Sequence, residues 1–128
     1  MTGLGIVSPI GVGVEKFWAA ATAGKSGIRT PTLFDSSKLP PDCRIVGEVT
    51  DFDPLDWMPA RVSRMAGRFS QFAVSAARMA RTDSGLDAAE IPPEQLKVSI
   101  GTSMNGQVDL GESTFSAFLR GQEVSPWT

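Results

Sequence analysis

Apolar side chains recur at helical spacing in three stretches of the chain, with shorter β-like runs between them. From Val14 onward, Val14, Phe17, Trp18 and Ala21 fall at i, i+3, i+4 and i+7, which draws one apolar stripe on a helix. Gly24, just past the alanines, supplies the stop, because glycine takes the left-handed backbone of a helix end at little cost. The strongest helix is predicted over residues 61–82, where Val62, Met65, Phe69, Phe72, Ala73, Ala76 and Ala80 recur at three and four. Gly67 interrupts it at a cost of up to about 1 kcal/mol against alanine, so the pattern admits two helices meeting near Gly67. Asp83-Ser84-Gly85 is its stop signal. A last amphipathic helix is predicted over residues 108–119, ending near Gly121.

The runs RIVGEV (44–49) and LKVSIGT (96–102) read as strands, the second as a buried one. The opening MTGLGIVSPIG reads as a loop leaving a strand, and residues 24–44 as a long surface excursion dense in turn formers. DFDPLDW carries N-cap and turn signals, and Met104-Asn105-Gly106 makes a turn. Helices alternating with short strands point to α/β architecture.

Composition narrows what such a fold can do. At 128 residues, 41% apolar and 20% charged, the chain has the size and balance of one soluble globular domain. A net charge of −2 gives no global electrostatic case for nucleic acid or an anionic membrane. No apolar run approaches the roughly 20 residues that span a bilayer, and no secretory signal is visible, so the expected location is cytoplasmic. There is no histidine, which removes the commonest general base and the commonest metal ligand. The single cysteine, Cys43, forms no internal disulfide or CxxC-type zinc site.

Four features could carry chemistry. Gly3-Leu4-Gly5 begins like a dinucleotide loop, but Ser8 stands where the third glycine belongs, and a tight turn beneath a sheet is the competing reading. Cys43 lies in a charged loop, Asp42-Cys43-Arg44, with no base in the chain to activate it, and reads as incidental. Arg61, Arg64 and Arg68, at steps of three and four, share one helical face: a solvated basic surface or a dock for an acidic partner. Gly101-Thr102-Ser103-Met104-Asn105-Gly106 lies between a strand and a helix, where α/β folds place ligands, yet Ser103 lacks the GxSxG context of a nucleophile.

Taken in order, these segments resemble the N-terminal part of the condensing enzymes of fatty-acid and polyketide synthesis, the β-ketoacyl-acyl-carrier-protein synthases of the ketosynthase II-like type. MTGLGIVSPIGVGVEKFW resembles the family's VTGLGxxSPxGxxxxxFW, and AGKSGIRTPTLFD its AGxSGIxxxxxFD. IVGEVTDFDP, RFSQFAVSAARMA with DSGLD, IGTSMNG and the terminal VSPW follow in the same order and at similar spacing. The resemblance implies a thiolase-like fold of two duplicated α/β halves in a homodimer. Residues 1–128 would be an incomplete β-ketoacyl synthase N-terminal domain: the first part of the N-terminal αβαβα half, with its first strand and catalytic region missing. The implied reaction is a decarboxylative Claisen condensation through an acylated cysteine, supported by two histidines.

That cysteine and those histidines lie beyond Thr128 in the family's order, so the resemblance implies no catalytic residue here and an inactive chain. It would be a gene fragment, an incomplete gene model or one piece of a split protein. No cofactor or metal is implied, since the substrates ride on the phosphopantetheine of acyl-carrier protein, the expected partner. The family's docking cluster, R-K-x-x-R-R-M-D-x-F, aligned on Phe69, puts its first lysine and next arginine on Arg61 and Arg64. Met65 replaces the following cation, and Ala66-Gly67 replaces Met-Asp. Met104 falls in the Gly-rich turn that lines the acyl pocket, where a flexible thioether suits a wall adapting to acyl chains. The alternative reading is a non-catalytic subunit or carrier-binding module that pairs with a full ketosynthase.

Overall fold

In the computed structural model, which describes residues 1–89, 91–103 and 107–123, the opening ribbon turns back on itself. Strands β1 (Val7–Ser8) and β2 (Gly11–Val12) pair antiparallel, Val7 opposite Val12 and Ser8 opposite Gly11. The Ser8 hydroxyl donates to the Gly11 carbonyl at 2.9 Å and accepts from the Ile10 amide at 3.3 Å, closing the turn through Pro9 and Ile10. This hairpin replaces the loop expected from sequence. Two-residue strands are too short to show alternation, so only the pairing reveals them.

Helix α1 (Val14–Thr22) packs on β2 and ends as Gly24 indicated. Gly24 has φ 67°, its amide donates to the Ala21 carbonyl at 3.0 Å, and Lys25 donates to the Ala20 carbonyl at 2.9 Å, a Schellman closure. The covered line of α1 is Ala20, which is buried, with Val14 and Phe17 half-buried, not the full stripe drawn from sequence. Trp18, 65% exposed, and Ala21 face outward, because the hairpin covers only one side of the helix.

Residues 24–44, the expected excursion, run largely without regular structure, and RIVGEV contributes one bridging pair rather than a strand. Arg29 and Val46 exchange amide and carbonyl bonds of 3.0 and 2.8 Å. Pairing stops there, since the next groups are taken by side chains: the Val49 carbonyl accepts from Arg68 and the Glu48 carboxylate from residues 32 and 33.

A 3₁₀ turn, Pro54–Asp56, is capped by the Asp53 carboxylate, which accepts from the Leu55 amide at 2.8 Å. The long helical pattern that follows divides where Gly67 allowed. Helix α2 (Ala60–Met65) stops at Ala66, whose extended backbone (φ −96°, ψ 126°) leads through Gly67 into α3 (Arg68–Asp83). Helix α3 ends at Ser84, with Gly85 left-handed at φ 68°. The opening ribbon lies against α3 at backbone contact: a Cβ added to Gly5 would sit 1.9 Å from the Ala76 carbonyl oxygen, and one added to Gly3 2.2 Å from that of Ala80. Ser75, in the same stretch of α3, is fully buried and donates to the Gln71 carbonyl at 2.8 Å.

The second strand expected from sequence, 96–102, is not one here. Its residues are exposed, Val98 by 87% and Ile100 by 68%, and no described backbone lies beside them to form a ladder. A strand exists only against a partner's amides and carbonyls, so an apolar run alone does not make one. Helix α4 (Gln107–Leu119) follows and closes on Gly121 at φ 63°, Gln122 donating to the Ala117 carbonyl at 3.0 Å. Phe115, Phe118 and Leu119 of α4 are exposed. No helix among the described residues is long and apolar enough to cross a membrane. The observed architecture, helices with a small sheet, is α/β.

Candidate functional site

The arginines of α2 and α3 sort into two groups. Arg61 and Arg64 lie one turn apart on α2, both exposed, and among the described residues neither forms an ion pair or a side-chain hydrogen bond. Arg68 does not share their face, contrary to the spacing argument, because the chain leaves the helix at Ala66 and restarts at Arg68. Its guanidinium sits 5.0 Å from the Phe52 ring centre and 4.8 Å from that of Phe72, while Nη2 donates to the Val49 carbonyl at 2.8 Å. The two rings meet edge to face at 5.0 Å, so Arg68 is the cation of a packed cluster that ties the excursion to α3. Arg78 donates to the Trp57 carbonyl and Arg81 pairs with Asp87. Of these five cations, α2 carries the two with no side-chain partner among the described residues.

Helix α2 has six residues, far below the roughly 12–15 at which an isolated helix becomes even marginal in water. Something must hold it. The Gln71 side-chain amide, from the first turns of α3, donates to the Ser63 carbonyl at 2.9 Å and to the Ala66 carbonyl at 3.1 Å, two acceptors at the C-terminal end of α2. No local sequence signal marks this contact of Gln71.

Glu48 was also missed. It is 8% exposed, and its carboxylate accepts from the Thr32 hydroxyl at 2.6 Å, the Thr32 amide at 3.0 Å and the Leu33 amide at 2.8 Å. The Thr32 hydroxyl bond is the main cause that holds its pKa below the ordinary value; burial opposes, and the Leu33 and Thr32 amides and the Arg29 charge add to the lowering. A depressed carboxylate stabilises the fold fully above the ordinary pKa of 4.5 and loses that contribution as pH falls through the depressed value. Glu48→Gln, which keeps the shape but sets an NH2 against donors, is expected to lower the melting temperature at neutral pH. It should also flatten the fall in melting temperature as the pH drops below about 4.5. Parallel melting curves for parent and variant across that range would show that the carboxylate contributes nothing.

The other sequence candidates separate. The Gly3-Leu4-Gly5 amides do not face a phosphate site, since Gly3 and Gly5 press on the body of α3 and the Leu4 amide donates to the Asp83 carboxylate at 2.9 Å. Cys43 is exposed in the 3₁₀ turn Pro41–Cys43. Clefts of about 390 and 480 Å³ at the base of the hairpin share Lys16 and Asp51, which pair at 3.2 Å, and neither is lined by the thiol. Among the described residues no three carboxylate or thiol side chains converge as a metal would require. Gly101 to Ser103 are exposed, and Met104, the expected pocket residue, lies outside the described residues.

Comparison with known proteins places this geometry. The family model for the β-ketoacyl synthase N-terminal domain matches residues 1–128. The chain belongs to that family. It is 39% identical over 129 residues to 3-oxoacyl-[acyl-carrier-protein] synthase 2 of Coxiella burnetii, covering 99% of this chain and 30% of that protein. Among solved structures it resembles the ishigamide ketosynthase/chain length factor, with a TM-score of 0.74, 31% identity, and coverage of 99% of this chain and 32% of that one. It also resembles a ketosynthase solved in complex with its type II polyketide acyl-carrier protein (AntDE:AntF), with a TM-score of 0.64, 26% identity, and coverage of 98% and 28%. This member of the β-ketoacyl synthase family thus spans about a third of the length of the relatives it matches.

Proposed function

We propose that these 128 residues are the N-terminal part of a β-ketoacyl-acyl-carrier-protein synthase, and that α2 is half of its carrier-protein dock. The intact protein, on this reading, is a thiolase-like homodimer that condenses an acyl group with malonyl-acyl-carrier protein. The acyl group waits as a thioester on a cysteine. Loss of CO2 from the malonyl group leaves a carbanion that attacks the thioester carbonyl, and the cysteine thiolate departs. The cysteine and two assisting histidines belong to the portion outside these residues, so the chain alone is inactive.

The observation that supports the dock is the sorting of the arginines: Arg68, Arg78 and Arg81 are engaged within the fold, whereas Arg61 and Arg64 point outward from one turn of α2. A carrier protein is acidic around its phosphopantetheine serine, and guanidinium groups one turn apart suit carboxylates through charge-assisted hydrogen bonds. Exposed ion pairs contribute about 0–1 kcal/mol each, so the contact is weak and sensitive to salt. Met65, 81% exposed beside Arg64, adds no charge to it.

Calorimetric titration of the chain with an acyl-carrier protein at low ionic strength tests this. Arg64→Glu is expected to weaken binding by about tenfold or more, and Met65→Arg to tighten it. Both variants should keep the parent's circular dichroism. If Arg64→Glu binds the carrier as the parent does, the basic face is a solvated surface and the docking reading fails.

A further inference from the structure

A helix of six residues does not stand by itself, and the groups that hold α2 are visible. Its N-terminal side has no capping side chain, Pro59 being the N-cap. Its C-terminal side ends without glycine in a left-handed turn, since Ala66 is extended, so the last carbonyls of α2 lack the closure that ends α1 and α4. Carbonyls left at a helix end need an outside donor. The Gln71 side chain supplies it, placing both hydrogens of one amide on the Ser63 and Ala66 carbonyls at 2.9 and 3.1 Å. Its own backbone amide donates to the Gly67 carbonyl at 3.0 Å, so one residue closes the junction from both sides. Arg68, next to the break, is fixed by Phe52, Phe72 and the Val49 carbonyl, which anchors the far side of the same junction.

We infer that Gln71 is the positioning residue of the carrier dock: it caps α2 from the neighbouring helix and thereby sets the direction in which Arg61 and Arg64 face the partner. This rests on the docking reading and adds what makes the dock stiff. An acidic partner meeting two arginines on a frayed turn has to order that turn first, and the cost of ordering is subtracted from a contact that is already weak. A preformed turn removes that cost. Gln71 never touches the partner in this arrangement and acts through the backbone of α2.

The test uses the 128-residue chain and Gln71→Met, a neutral side chain of similar shape with no donor, so that no new charge meets the acidic carrier. Amide hydrogen exchange and calorimetry with the acyl-carrier protein are read side by side. Exchange over residues 62–66 is expected to quicken by about tenfold, the effect of losing two ordinary hydrogen bonds, while residues 72–80 of α3 keep the parent's protection. Carrier binding should weaken by a similar factor. Gln71→Lys, which restores a donor to the carbonyls, should restore the slow exchange. Unchanged exchange over 62–66 in Gln71→Met would overturn the inference, and so would fast exchange with parent-like binding. The two readings fail separately: if Arg64→Glu binds as the parent does, the dock is wrong, whereas if Arg64→Glu loses binding and Gln71→Met does not, only the positioning role is wrong.

Discussion

Replacing Gly5 with alanine is expected to remove the protection of α3 from amide exchange and most of its helical signal. The added Cβ would lie 1.9 Å from the Ala76 carbonyl oxygen, 2.7 Å from its carbon and 2.9 Å from the Ala80 amide nitrogen. All three are backbone atoms in the body of a helix, so no side chain can swing aside to make room. The ribbon must lift off, and with it goes the Leu4–Asp83 bond. Overpacking in a well-packed site costs about 1–3 kcal/mol, and a clash on helix backbone lies at or above that range. Native domains have only about 5–15 kcal/mol in hand, and a chain that buries so few apolar side chains has less. Gly101→Ala is the control, since an added Cβ there meets nothing within 4 Å and it should behave as the parent. Parent-like protection over residues 76–80 in Gly5→Ala would show that the ribbon does not pack as described.

Incubated with an activated acyl thioester, the chain is expected to gain no mass beyond what any free thiol gains. Its one cysteine, Cys43, is exposed and follows Asp42. The neighbouring Arg44 guanidinium is engaged by the Leu39 and Ser37 carbonyls, each at 2.8 Å. The sequence has no histidine to take the proton. Intact-protein mass spectrometry reads the outcome directly. Stoichiometric acylation at Cys43, faster than that of a free thiol, would mean that the residue is a nucleophile after all.

Much of the apolar surface is uncovered: Val98 and Ile100 on the unpaired run, Phe115 and Phe118 on α4. Such faces are unusual on a domain whose surface is complete. That agrees with a chain spanning about a third of the relatives it matches. The run LKVSIGT, expected as a buried strand, is exposed here.

By itself the sequence determined what depends on neighbours a few residues away. The ends of α1, α3 and α4 were readable at Gly24, Gly85 and Gly121, because a left-handed glycine closes its own helix through local bonds. The break near Gly67 was readable because glycine is costly inside a helix, and the ordered landmarks along 1–128 were enough to reach the family. Only the tertiary structure decided which side of each element is covered and by what. Trp18, expected on the covered stripe, is exposed and Ala20 is buried instead, because the hairpin takes one edge of the stripe. Arg68 leaves the basic face because two phenylalanines and a distant carbonyl receive it, and Glu48 becomes a buried knot because Thr32 and Leu33 present it with donors. A periodic pattern records that a position is apolar or charged, whereas its partner is chosen by segments that meet only once the chain has folded.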